Sequence, residues 1–161
     1  MTVFPVRHLP EPVLRGKAKK VRTIDVSIKK LVTNMIETMH AVNGVGLAAP
    51  QIGVPLRVIV IGIPEQKEIV LINPEIVKKT GEREIEERCL SVPGYAGQVK
   101  RAMSVTVKGK DLNGKEIRVK GEELLAQALE HEIDHLNGTL YVDHMDNMDK
   151  LVKVTPQQSS E

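Results

Sequence analysis

The sequence predicts an α+β fold in which two helices lie on either side of a stretch of antiparallel strands. Apolar residues recur with a helical period over residues 28–39 and again over about 122–137. Between these stretches, short apolar runs alternate with turn residues, and Asn113-Gly114 separates two such runs as a strong hairpin signal. Helices and strands that are segregated along the chain in this way are typical of α+β domains.

The first 24 residues are predicted to form an irregular arm across the surface. Pro5, Pro10 and Pro12 each remove a backbone donor there. The helix that follows has apolar residues at the spacing of one buried face, and they are Ile28, Leu31, Val32, Met35, Ile36 and Met39. Asp25 or Ser27 is expected to cap this helix, and Asn43-Gly44 to end it.

The middle of the chain is predicted to be antiparallel β-structure. Apolar runs at Arg57–Ile63 and Ile69–Asn73 indicate two strands, which Pro64 and Pro74 are expected to stop. Two more strands are expected between Glu75 and Val92. The hairpin at Asn113-Gly114 joins Met103–Val107 to Ile117–Val119. The second helix is expected to end at Gly138 and to bury Leu124, Leu125, Ala128, Leu129 and Leu136.

Length and composition limit the classes of function. The 161 residues suit a single domain over 1–161, with a polar tail from about residue 151 that is expected to be frayed. Lys and Arg number 23 against 21 acidic residues, a balance that gives no electrostatic footprint for nucleic acid, and Phe4, Tyr95 and Tyr141 are too few aromatics for base stacking. No apolar run approaches the ~18 residues of a membrane span. With no signal peptide evident and one cysteine, Cys89, a cytoplasmic location is predicted.

A metal-binding motif lies in the second predicted helix. His131-Glu132-Ile133-Asp134-His135 fits H-E-x-x-H, and an i, i+4 pair of histidines lies on one helix face, where both imidazoles reach one ion. Helix angles leave the general base open, because Glu132 and Asp134 lie about equally far on either side of the two histidines. The known mechanics of the motif favour Glu132.

The motif leaves a third protein ligand to be found. Asp143 and His144 lie downstream of the helix, where ordinary zincins place that ligand. Cys89 lies upstream, and a set of one cysteine and two histidines leaves one position open, as in catalytic sites. The alternative role for Cys89 is that of a small buried hydrophobic residue.

A stretch of small residues, 44–53, precedes the predicted strands. It lacks the pattern of a phosphate-binding loop. Gly44 and Gly46 let a backbone come close to a ligand, and Gln51 offers an amide nearby. A tight connection without function is the alternative interpretation.

Three motifs, taken in order, resemble the signatures of peptide deformylases. They are Gly44-Val-Gly-Leu-Ala-Ala-Pro-Gln51, Glu87-Arg-Cys-Leu-Ser91 and Glu130-His-Glu-Ile-Asp-His-Leu136. Two positions depart from the family pattern. Arg88 stands where glycine is usual, and Glu130 where glutamine is usual. Neither departure removes a candidate ligand, the candidate base or the Gln51 amide.

The resemblance implies a fold, an activity and a set of site residues. Antiparallel strands are expected to surround a central helix that carries the histidines, and the reaction is removal of the formyl group from the N-terminal methionine of new polypeptides. Cys89, His131 and His135 would hold a divalent ion, Fe²⁺ in the cell, with Ni²⁺, Co²⁺ or Zn²⁺ able to substitute. Glu132 would move protons, and the Leu90 N–H and the Gln51 amide would stabilise the oxyanion.

The resemblance also implies how the substrate is bound. The nascent peptide would lie along Gly44, Val45 and Gly46 as an added strand, beside Leu90, and would be met near the ribosome exit in a bacterial cytosol. Val45, Ile85 and Leu90 are candidate walls for the methionine side chain, with Gln127 as a polar neighbour. There are two alternative functions. One is that of a catalytically weak protein that only binds metal or formylated peptides, and the other is that of an H-E-x-x-H protease.

Overall fold

A computed structural model describes residues 3–145 and 151–154, and it has the predicted α+β class. The helices are α1 (Val26–Ala41) and α2 (Glu123–Leu136). The strands are β1 (Gly46–Ala48), β2 (Val58–Ile61), β3 (Ile69–Thr80), β4 (Arg83–Cys89), β5 (Val92–Arg101), β6 (Ser104–Lys110), β7 (Glu116–Glu122) and β8 (Val152–Lys153). Short 3₁₀ turns cover Pro12–Leu14, Ala49–Ile52 and Tyr141–His144.

Two antiparallel sheets hold α2 between them. The five-stranded sheet has the order β1-β2-β3-β6-β7, and the three-stranded sheet has the order β4-β5-β8. Helix α2 packs on β1, β6 and β7 of the first sheet and reaches β5 of the second. Its buried residues Ala128, Leu129 and Leu136 join one core with Ile59 and Leu71 of the large sheet. The helix is therefore central, as expected.

Both helices begin and end close to the predicted residues. The Asp25 side chain accepts the Ile28 N–H at 3.2 Å, so of the two predicted candidates Asp25, and not Ser27, is the cap of α1. The chain leaves α2 at Gly138, which has a φ of +76°, and a Cβ there would lie 2.5 Å from the carbonyl oxygen of Arg15. Only glycine suits that position. Leu124 and Leu125, expected to be buried, are half-buried against the core.

One predicted strand boundary is wrong. Pro74 does not stop β3, because the pairing of β3 with β6 shifts register between Ile72 and Glu75, and the proline lies in that irregularity. Asn73 has a φ of +54° there, and its side chain bonds both the N–H and the carbonyl of Val21, which fastens the N-terminal arm. The arm is irregular apart from one 3₁₀ turn, as predicted, and Leu14 within it is fully buried.

Three strands were not predicted from the sequence. The small residues of β1 and the two glycines and proline of β5 carry weak strand signals. The third, β8, lies within the expected frayed tail and pairs with Tyr95 and Ala96 of β5, and residues 155–161 lie outside the described part. The Asn113-Gly114 hairpin between β6 and β7 is confirmed, with Gly114 at a φ of +81°. No helix in the described residues is long and apolar enough to cross a membrane.

Candidate active site

Three side chains of the candidate site converge between α2 and the end of β4. His131 and His135 lie one turn apart on α2, and Cys89 is the last residue of β4. The two Nε2 atoms are 3.2 Å apart, and Cys89 Sγ lies 3.3 Å from His135 Nε2. All three residues are buried, and their ligand atoms lie within 4.8 Å of one another. Two imidazole nitrogens and one sulfur therefore face a common point.

Glu87 orients His131 in this cluster. Its carboxylate can only accept, so His131 Nδ1 donates to it at 2.7 Å, and this bond turns the Nε2 side of the ring toward Cys89 and His135. Arg101 donates to the same carboxylate through Nε at 2.9 Å and Nη2 at 2.5 Å, and Gln127 Nε2 donates at 3.3 Å. A carboxylate behind an imidazole is a common arrangement behind metal-binding histidines.

The roles of Glu87 and Arg101 were not predicted from the sequence. The two-residue period of a strand could have identified Glu87, because it places Glu87 and Cys89 on the same buried face of β4. Arg101 was not identified because its strand, β5, was not predicted. Gln127, the expected polar neighbour of the methionine pocket, donates to Glu87 through Nε2.

The charges around the cluster favour a cation. Burial opposes ionisation of Glu87, but His131 and Arg101 outweigh it and hold the pKa of Glu87 far below its usual range. Burial also disfavours protonated His131, but Glu87, Cys89 and Glu132 raise the pKa of His131 well above its usual range. Burial and the neighbouring His131 lower the pKa of His135 well below its usual range. The carboxylates around His131 thus favour positive charge at the cluster, which is the charge that a divalent ion would supply.

The donor set fits a divalent transition-metal ion. One thiol and two imidazoles are ligands that zinc, iron and nickel accept, and three protein ligands leave a position open in a tetrahedral site. Across residues 3–145 and 151–154, Cys89, His131 and His135 are the one such group of three. The downstream alternatives are engaged elsewhere, because Asp143 pairs with Arg15 at 2.5 Å and His144 with Asp134 at 2.8 Å.

The two candidate carboxylates of α2 have different surroundings. Glu132 is 1% exposed, and its Oε2 would lie 2.6 Å from a Cβ at Gly46, so the carboxylate rests on the backbone of β1. Asp134 instead accepts from Arg101 Nη1 and pairs with His144 Nε2, each at 2.8 Å. Asp134 is committed to an ion-pair network behind the cluster, whereas Glu132 faces the strand beside it.

Gln51 and Leu90 lie next to the cluster. Gln51 Oε1 accepts the Ala48 N–H at 3.0 Å, which turns Nε2 toward Ser91 Oγ at 3.1 Å and Cys89 Sγ at 3.8 Å. Leu90 directly follows Cys89, and its Cδ1 would lie 3.3 Å from a Cβ at Gly44. The Gln51 amide and the Ser91 N–H, which lies 3.4 Å from Cys89 Sγ, are thus held at the sulfur side of the cluster.

Strand β1 is an edge of the five-stranded sheet and pairs with β2 on one side. Solvent exposure increases toward the N-terminal side of β1, from the fully buried Ala48 through half-buried Val45 and Gly44 to the exposed Asn43. Ile85, another candidate wall, is half-buried and packs on the core around Cys89. An open backbone edge therefore leads from solvent to Gly46 and the carboxylate of Glu132.

The structure accommodates both departures from the expected motifs. Arg88 has no positive φ, so its side chain causes no left-handed strain, and its guanidinium lies 3.9 Å from Glu86. Glu130 is buried, and its Oε1 accepts the Ala102 N–H at 2.7 Å while Oε2 lies 3.3 Å from Lys79 Nζ. Lys79 supplies the positive charge that the buried Glu130 carboxylate needs and that a glutamine amide at this position would not need.

Comparison with known proteins gives consistent matches along the chain. The family described as Polypeptide deformylase matches residues 3–151. A peptide deformylase of Dehalococcoides mccartyi strain CBDB1 is 55% identical over 97% of this chain and 94% of its own. One from Desulforudis audaxviator strain MP104C is 52% identical over 89% of this chain and 94% of its own.

Solved structures match the fold as well as the sequence. The crystal structure of a peptide deformylase from Legionella pneumophila has a TM-score of 0.89 at 49% identity, covering 92% of this chain and 89% of that chain. A peptide deformylase from Synechococcus elongatus in complex with actinonin has a TM-score of 0.88 at 40% identity, covering 91% and 81%. The similarity therefore extends well beyond the three motifs.

Proposed function

The chain belongs to the polypeptide deformylase family, metalloenzymes that hydrolyse the formyl group from the N-terminal methionine of newly made polypeptides, and we propose how its residues divide that work. The observation that carries the proposal is the convergence of Cys89, His131 and His135 beside a buried Glu132. A binding protein without turnover would not need a carboxylate held at that point.

Cys89, His131 and His135 would hold the divalent ion, and Glu87 would keep the His131 lone pair directed at it. When bound, the ion supplies a Lewis acid that polarises the formyl carbonyl and makes water a better nucleophile. Ferrous iron is the ion we propose for the cell, with nickel, cobalt or zinc able to replace it. The mixed thiol and imidazole donor set supports a metal of this group.

Glu132 would act as the general base and then as the general acid. It takes a proton from the water that attacks the formyl carbon and returns a proton to the departing amine, so that formate and a free N-terminus are released. Its burial beside Gly46 supports this role, because a peptide bound on β1 would bring its formyl group to the carboxylate. Asp134 would hold Arg101 instead.

Gln51 Nε2 and the Leu90 N–H would donate to the oxygen that becomes negative during attack. Such donors stabilise charge that is larger in the transition state than in the substrate. The bond from Ala48 N–H to Gln51 Oε1 supports the assignment, because it fixes the amide with its NH₂ group toward Cys89. Loss of one oxyanion donor is expected to cost ~10²-fold or more in rate.

The substrate would add a strand to the free edge of β1. With its formyl group near Gly46, the peptide has to leave along Gly44 toward exposed Asn43, because Ala48 is buried in the other direction. Main-chain pairing makes binding tolerant of sequence after methionine. The methionine side chain would pack among Val45, Ile85 and Leu90. Encounter with the nascent chain near the ribosome exit, in a bacterial cytosol, follows from the nature of the substrate.

A formate-release assay tests this function. The metal-loaded protein is expected to cleave formyl-Met-Ala-Ser and to leave acetyl-Met-Ala-Ser nearly untouched, because the extra methyl group has to fit between Gly46 and Leu90. Equal turnover of the two peptides would contradict a formyl-specific site. Tight binding of the formyl peptide without any formate release would favour the alternative of a binding protein.

A further inference from the structure

A second cleft, of about 650 Å³, shares no residue with the candidate active site. It lies between the N-terminal arm at Lys17–Lys20, the residue before β2, and the paired ends of β6 and β7. Gly109 and Ala18 line it with little side-chain bulk, and Asn137, just past the end of α2, lies on one side.

Positive charge predominates in the cleft. Its five cations are Lys17, Lys20, Arg57, Lys108 and Lys110. Glu75 and Glu116 are its carboxylates, and they stand opposite Lys108 and Lys110 in the sheet register. None of the five cations forms an ion pair with a carboxylate in the part of the chain that the structure describes. The small net charge of the whole chain conceals this local excess.

Arg57 is the fixed member of the group. Its Nη1 donates to the carbonyls of Ala18 at 3.3 Å and Leu136 at 3.0 Å, and its Nη2 to Asn137 Oδ1 at 3.0 Å. All three acceptors are neutral, and burial lowers the pKa of Arg57, although the guanidinium remains charged. Two of its five N–H donors have no acceptor among the described residues. The cleft thus contains an immobilised, half-buried cation that forms no ion pair with any described carboxylate.

We propose that this cleft binds phosphate groups, with RNA as the source that its spread of cations fits best. An immobilised guanidinium matches phosphate oxygens in geometry, and lysines add point charges around it. Cations on three separate chain segments suit several phosphates along a backbone better than one small anion. No aromatic residue lines the cleft, so binding is expected to be independent of base sequence.

Anisotropy of a fluorescent single-stranded RNA of mixed sequence tests the proposal on the metal-loaded full chain. Lys17→Gln with Lys20→Gln removes two cations of the exposed arm and leaves the active site untouched. Lys29→Gln with Lys30→Gln, on the exposed face of α1, is the matched control with the same change in net charge. Titrations between 50 and 200 mM NaCl give the salt dependence of affinity. Inorganic phosphate and ATP, added as competitors, distinguish small phosphates from RNA.

The arm variant is expected to bind RNA at least several-fold more weakly, and its salt slope is expected to fall by about 1.4, at roughly 0.7 for each phosphate that a lysine no longer neutralises. The control variant is expected to bind like the unmodified protein, and both are expected to release formate at the unmodified rate. Displacement by millimolar phosphate or ATP, itself abolished in the arm variant, would support the site with a small phosphate as its ligand. Equal weakening in both variants, or no binding of RNA, phosphate or ATP at 50 mM NaCl, would overturn the proposal.

Discussion

Gly46 and Glu132 are in direct contact, since a Cβ on Gly46 would lie 2.6 Å from Oε2 and 3.0 Å from Cγ of Glu132. The edge strand that is proposed to carry the substrate therefore rests on the side chain that is proposed to move its protons. A residue with a Cβ at this position would displace the carboxylate, so only glycine fits.

Gly46→Ala is accordingly expected to lower kcat/KM for a formyl-Met peptide by ~10²-fold, the effect of a displacement of about 1 Å at a catalytic group. Gly44→Ala is the control. Its Cβ would lie 3.3 Å from the end of the flexible Leu90 side chain, so a smaller loss is expected. Equal activity of Gly46→Ala and the unmodified protein in a formate-release assay would show that the carboxylate is not held at this strand.

Cys89→Ala is expected to lower metal content sharply, because only two imidazoles remain as ligands. Metal analysis of protein purified without oxygen measures the effect, with circular dichroism to confirm that the fold is kept. A full equivalent of metal in this variant would indicate that Cys89 is a buried apolar residue and not a ligand.

Glu87→Gln is expected to weaken metal binding by roughly 10- to 100-fold, because an amide holds His131 less firmly than a carboxylate does. It also leaves the 2%-exposed Arg101 side chain with Asp134 as its one acidic partner among the described residues, which is expected to destabilise the fold by about 3 kcal/mol. Titration against a chelator, well below the melting temperature, measures the affinity. Glu86→Gln, on the exposed side of β4, is expected to change neither quantity.

The pairing of His144 with Asp134 predicts a pH-dependent contribution to stability. The hydrogen bond to Asp134 raises the pKa of His144, so the imidazole holds a proton more tightly in the folded state than in the unfolded state. This stabilisation is fully present below about pH 6.5 and is lost as pH rises through the raised pKa. His144→Asn is therefore expected to lower the melting temperature at pH 5.5 more than at pH 9. A pH-independent decrease would contradict a role for the charge.

Sequence patterns predicted what depends on local spacing. The i, i+4 histidines, the Asp25 cap and the Asn113-Gly114 hairpin each follow from a few consecutive residues, and the structure contains all three. The Glu87–Arg101 pair was not predicted because it joins two strands across a sheet, and β5 contains glycines that weaken its pattern. Family resemblance decided between Cys89 and the downstream candidates as the third ligand, since no local rule links residues 42 or more positions apart.

The same limit explains why helix geometry alone did not decide between Glu132 and Asp134. Helix angles place the two carboxylates symmetrically, and only the surrounding strands distinguish them. Gly46 of β1 meets Glu132, while Arg101 of β5 binds Asp134. Neither strand was predicted, so neither contact could be inferred from the sequence.

Metal content and formate release, measured together on Glu132→Gln and Asp134→Asn, test the central assignment most directly. Glu132→Gln is expected to keep about one metal ion per chain and to lose ~10²- to 10⁴-fold in rate, the contribution of a general base. Asp134→Asn is expected to remain the more active of the two, because Asp134 contacts Arg101 and His144 rather than the reacting atoms. A fully active Glu132→Gln protein, or an inactive Asp134→Asn protein with full metal content, would contradict the assignment.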